Sequence, residues 1–130
     1  MPREKLAELL AQNVGHHDLE APVPSLQDLE ELGERLGVEL PTDYRDFVLE
    51  GGLRDLRFSN HVLEPQEIVE NLLQVGSKGL VPFASNGSGD LYCVARNRLP
   101  SGPMVLWDHE TGSVADSYSS LLAALRDWRF

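Results

Sequence analysis

The spacing of apolar residues changes character at Gly51-Gly52, and that change sets the fold class. Before it the spacing is helical. Leu6, Leu9, Leu10 and Val14 share one helical face, with Gly15 as the stop. Leu26, Leu29, Leu32 and Leu36 form a second stripe, which Ser25 can cap and Gly37 can end. Tyr44, Phe47 and Val48 give a third, short helix entered at Leu40-Pro41, with Thr42 or Asp43 as its cap. After Gly52 short apolar blocks alternate with turn residues. Leu53–Ser59 reads as a half-buried strand and Pro65–Leu73 as a helix with Ile68, Leu72 and Leu73 inward. Leu80–Ala84, Asp90–Arg96, Met104–His109 and Val114–Asp116 read as strands, the first at an edge because Pro82 lacks an N–H. Ser117 or Ser119 caps a last helix whose Tyr118, Leu121, Leu122, Leu125 and Trp128 share a face. Helices, then hairpin-linked strands, then a helix specify an α+β fold with a central antiparallel sheet.

The 130 residues fit one domain, 1–130, and an apolar fraction of 42% is enough for a packed core. Met1–Lys5 lacks the apolar core of a signal peptide and no run is long enough to span a membrane, so a cytoplasmic location is expected. The single cysteine, Cys93, excludes an internal disulfide framework and a multi-cysteine zinc site.

Charge narrows the partners. The formal net charge is −10, which disfavours direct binding to nucleic acid or to an anionic membrane, since both require a basic footprint. Residues 1–50 carry 12 acids against 4 bases, and residues 51–130 carry 9 against 7. The acidic surface therefore belongs mainly to the N-terminal helices, where Glu30, Glu31 and Glu34 lie off the leucine stripe. Such a field speeds encounter with a basic protein, although a charged outer helix face is also the ordinary solvated face of an amphipathic helix.

No set of residues assembles into a reaction centre. Asn86-Gly87 suits a tight hairpin turn, and a strand follows it where a phosphate cradle needs a helix. Cys93 and His109 invite a nucleophile–base reading, but Leu91, Cys93 and Ala95 alternate onto an apolar face, which favours a buried, inert thiol. On a continued strand Asp108 and Glu110 would face one side and His109 the other, with Asp90 adding a carboxylate from a neighbouring strand. That is a weak set for zinc and a conceivable one for calcium or magnesium; a polar strand end is the simpler reading. Trp107 beside these acids, like Tyr92, is either an interface anchor or core.

Four pieces in this order resemble the SUKH superfamily, in its Smi/Knr branch. They are Leu36 to Phe47 through Leu40-Pro41-Thr42-Asp43-Tyr44, then Gly51-Gly52, then Leu80 to Cys93 through Pro82-Phe83 and Gly87-Ser88-Gly89, and last Val105 to Glu110 followed by Ala115-Asp116-Ser117-Tyr118. Glu50 and Ala95 stand where that family often has Asn and Asp. The resemblance implies a non-enzymatic domain without cofactor, metal or catalytic residue. It also implies a protein partner: for bacterial members a cognate toxin, often a nuclease, and for fungal members a signalling or cell-wall assembly. Leu40, Pro41, Tyr44, Phe47, Gly51, Gly52, Pro82, Phe83, Gly87, Gly89 and Ser117 are then framework residues. Contact with a basic partner falls to Asp90, Tyr92, Trp107, Asp108 and Glu110 at the strand ends and to Glu30, Glu31 and Glu34 on the helix. An intracellular scaffold, or a small-molecule or metal-binding enzyme, are the alternatives.

Overall fold

A computed structural model describes residues 23–54 and 60–128. The helix expected around Leu6–Val14 and residues 55–59 of the expected strand lie outside them. Helix α1 spans Leu26–Leu36 and begins with a reciprocal capping box. Ser25 Oγ accepts from the Asp28 N–H at 3.1 Å, and the Ser25 N–H donates to Asp28 Oδ2 at 2.8 Å. Leu29, Leu32 and Leu36 are buried, and Gly37 ends the helix in the left-handed conformation. Leu26 falls off the expected stripe: it opens the helix and is 46% exposed.

Helix α2 spans Thr42–Leu49 and has no side-chain cap of its own. Thr42 is already helical, and the Asp43 carboxylate accepts instead from the Leu122 N–H at 3.1 Å, at the start of the last helix. Tyr44, Phe47 and Val48 are buried, and the Tyr44 hydroxyl donates to the Leu63 carbonyl at 2.8 Å. The two glycines that follow serve different purposes. Gly51 has φ +83, which a side chain resists, and a Cβ on Gly52 would sit 2.5 Å from the Phe47 ring. Gly52–Arg54 then forms a 3₁₀ turn, so the first two residues of the strand expected at Leu53–Ser59 are helical in sense.

Strand β1 is short, His61–Val62. Helix α3, Pro65–Val75, opens with proline in its first turn and with a capping box between Glu64 and Glu67. Ile68 and Val75 are its buried residues. Leu73, expected inward, is 92% exposed, because the buried side of the helix runs through Ile68, Leu72 and Val75 at 3.6-residue spacing.

Strands β2 (Leu80–Ser85), β3 (Leu91–Ala95), β4 (Met104–Trp107) and β5 (Val114–Asp116) complete an antiparallel sheet ordered β1-β2-β3-β4-β5. Strand β2 is therefore interior, not at an edge. Its Pro82 is tolerated because β1 pairs only with Ala84 and Ser85, and the β2–β3 register shifts between Pro82 and Ala84. Leu91 to Val94 are all buried, so both faces of the central strand are covered. Helix α4, Leu121–Trp128, closes the fold. Its first turn is capped by Ser120, whose Oγ accepts from the Ala123 N–H at 3.1 Å. Ser117 and Ser119 were the expected caps, but Ser117 instead donates its N–H to the Met104 carbonyl at 3.1 Å and finishes the sheet. Trp128 packs on Tyr92 at 4.9 Å between ring centroids and joins α4 to β3. Among the described residues no helix is long and apolar enough to cross a membrane.

Candidate protein-interaction surface

Two turns meet at one end of the sheet. The first joins β2 to β3, and Asn86 builds it: its Oδ1 accepts from the Ser88 N–H at 2.9 Å and the Asp90 N–H at 3.2 Å. Gly87 (φ +82) and Gly89 (φ +105) supply the positive φ that the turn demands. The second joins β4 to β5, and Asp108 builds it, with Oδ1 accepting from the N–H groups of Glu110 at 2.8 Å and Thr111 at 3.2 Å. The register Leu91↔Trp107 brings the turns side by side.

Asp90 and His109 tie them together. Asp90 Oδ1 lies 2.6 Å from His109 Nδ1 and accepts the His109 backbone N–H at 3.1 Å, while Asp90 Oδ2 accepts from Asn86 at 2.9 Å. The imidazole lies against the backbone of Gly89, where a Cβ would meet it at 3.1 Å. Hydrogen bonds from the His109 side chain, its backbone and Asn86 hold the Asp90 carboxyl below the usual range, against a small desolvation effect. The Asp90 hydrogen bond in turn raises the His109 pKa, with Glu110 and Asp108 adding to it.

This geometry corrects the expectation for Asp108-His109-Glu110. The strand stops at Trp107. Beyond it His109 turns toward Asp90, and Glu110 points outward with its side chain 79% exposed. Asp90, Asp108 and His109 each place a metal-capable atom within 4.8 Å of the others. Asp108 Oδ1 and both Asp90 oxygens already accept hydrogen bonds, and His109 Nδ1 faces Asp90. The cluster thus works as a lock between turns.

Trp107 and Tyr92 are 7% and 8% exposed, so both belong to the core and offer a partner almost no surface. Among the described residues Trp107 Nε1 has no hydrogen-bond partner. Cys93 is fully buried, and burial pushes its thiol up to about 12, which withholds the thiolate that nucleophilic chemistry needs. Glu30, Glu31 and Glu34 are exposed along α1.

The sequence reading missed the start of α3. Asp28 and Glu31 of α1 line one groove with Glu64. One turn further, Glu67 lines a cleft of about 190 Å³ with Asn71, Gln74, His61 and His109, over the buried Leu63 and Leu91. Glu64 and Glu67 thereby link the acidic helix to the turn cluster. The signal was present as Glu64-Pro65-Gln66-Glu67, a helix entry with proline at its first position and Glu three residues after the cap.

A solved structure of a protein from Pseudomonas syringae pv. tomato superimposes with a TM-score of 0.65 over 95% of this chain and 96% of that one, at 23% identity, a likeness of fold. No curated protein matches the chain. The profile of the SMI1 / KNR4 family (SUKH-1) matches residues 24–127, a span that runs from the buried Pro24 before α1 into the last turn of α4 and takes in the double glycine, both turns and the Asp90–His109 lock. The chain belongs to the SMI1 / KNR4 family (SUKH-1).

Proposed function

We propose that this domain is a non-enzymatic binding module of the immunity kind, which captures a basic toxin domain and covers its working surface. One observation carries the reading: the exposed carboxylates of α1, the half-buried ones of the α3 entry and those of the two turns follow one another along two adjoining grooves, while the thiol, Cys93, is sealed in the core. Family membership supports it, since SUKH domains are generally immunity or regulatory domains. The chemistry of the target supports it too. A nuclease toxin must be basic to hold its anionic substrate, and a surface rich in carboxylates both steers toward it and competes for the same residues.

The test is affinity capture from the native cell at low salt, with the captured protein identified and its nuclease activity assayed with and without this domain. The reading predicts a basic partner, inhibited at one-to-one ratio and released as salt rises. Capture of an acidic or neutral partner, or inhibition indifferent to salt, contradicts it.

A further inference from the structure

Strand β5 closes the sheet and is its barest strand. Val114, Ala115 and Asp116 are all exposed, Val114 to 49%, and no described residue pairs with the outer edge. Two hydrogen bonds fix which groups that edge presents. The Ser113 carbonyl accepts the Asp108 N–H at 2.9 Å, and the Ser117 N–H donates to the Met104 carbonyl at 3.1 Å. Ala115 stands opposite Leu106 between them, so Ser113, Ala115 and Ser117 turn their backbone groups to β4. An antiparallel ladder alternates, so Val114 and Asp116 turn theirs, two N–H and two C=O groups, to solvent. Their side chains share one face of the sheet, an exposed valine beside an exposed carboxylate.

Edge strands are usually guarded by proline, lysine, a bulge or a covering element. Val114–Asp116 has no proline or lysine, and its register with β4 is unbroken. Its charge is acidic. Asp116 lies on the strand, and the turn before it carries Asp108 and the outward-pointing Glu110. Lys78 Nζ, 3.7 Å from where a Cβ on Gly112 would lie, offsets part of that charge. The sign of the charge selects the occupant. A second copy of this chain would bring another net charge of −10 against the first, whereas a cationic strand is attracted. We propose, on the binding-module reading above, that the outer edge of β5 takes up an extended basic segment of the protein partner as a further strand of the sheet. The backbone groups of Val114 and Asp116 hold the segment. A lysine or arginine of it lies across from Asp116, and an apolar residue two places along lies across from Val114.

The edge can be tested without the partner. The probe is a cyclic β-hairpin whose free strand reads Thr-Lys-Thr-Val-Thr, preorganised so that ordering the strand costs little; the control hairpin has Glu in place of Lys. Amide exchange of this protein is followed by NMR. With the probe at about ten times its Kd, exchange at Val114 and Asp116 is expected to slow roughly tenfold, while Ala115, already bonded to β4, is unchanged. Val114→Pro removes an outward donor that the fold does not use and is expected to abolish the effect. Asp116→Lys, a change at an exposed side chain, is expected to weaken the lysine hairpin about fivefold and to strengthen the control. No slowing at Val114 and Asp116, equal response to both hairpins, or unchanged binding by Val114→Pro overturns the proposal. Such a failure leaves the binding-module reading standing, because a partner can still be held on the acidic grooves. A captured basic partner that binds wild type and Val114→Pro equally well sinks the edge alone.

Discussion

Single residues decide whether the two turns hold together. Asp90 is a depressed acid and His109 a raised base, so their link has a pH window with two edges. A raised histidine contributes stability that is complete below its unfolded pKa and is lost as pH rises through the folded value; a depressed carboxylate contributes stability present above its unfolded pKa and lost as pH falls through the folded value. The lock is therefore strongest between the ordinary carboxylate and histidine ranges and loosens on either side. In an NMR titration His109 is expected to titrate above the usual histidine value, and in Asp90→Asn to fall back toward it; an unchanged His109 titration contradicts the assignment. Gly89 is bound to the same lock, since it needs φ +105 and lies under the imidazole. Gly89→Ala is expected to cost about 1–3 kcal/mol in chemical denaturation. His109→Ala added to it should relieve the contact and leave the backbone strain, so the double variant recovers only part of the loss.

At the scale of elements, caps and buried stripes do the positioning. Asp43 illustrates what one chain can and cannot reveal about itself. Its place after Leu40-Pro41 predicts a cap for its own helix, yet its carboxylate caps α4, 79 residues away. Asp43→Ala should loosen the docking of α4 on α2 and cost about 1 kcal/mol by thermal denaturation; no change would show that solvent serves Leu122 equally well. Helix α3 offers a sharper contrast. Ile68→Ala should cost about 2–5 kcal/mol, as deletion of a fully buried side chain does, while Leu73→Glu should stay within about 0.5 kcal/mol because Leu73 faces solvent. Equal losses at the two positions would reverse the face assigned to this helix.

The same elements show what was legible in the sequence. Leu29, Leu32 and Leu36, the Ser25 box and the strands from Leu80 onward could be placed because local spacing and local caps determine them. Leu73 was misplaced because two adjacent leucines, Leu72 and Leu73, leave the helical phase ambiguous until Ile68 is fixed against the sheet. The position of β2 was misread because Pro82 forbids one ladder bond, and the length of its neighbour, two residues of β1, decides whether that matters. Of the candidate site, the acidic character and the turn residues could be read. The lock between Asp90 and His109, the burial of Trp107 and the linking role of Glu64 and Glu67 arise from contacts between segments distant along the chain, which a single sequence does not encode at any local spacing.

The whole molecule presents a charge of −10 with most of the excess in its first fifty residues. Its helices cover a sheet whose Cys93 thiol is sealed, and His109 in the β4–β5 turn is held on the Asp90 carboxylate. Under the binding reading proposed above, long-range attraction should set both how fast and how tightly the domain binds a basic partner. The most direct measurement is the affinity for the captured partner as a function of salt, for wild type and for a variant in which Glu30, Glu31 and Glu34 are all glutamine. The account predicts affinity that falls steeply with salt in wild type and along a shallower line, from a weaker starting point, in the variant. Two superimposable and salt-independent curves would contradict it.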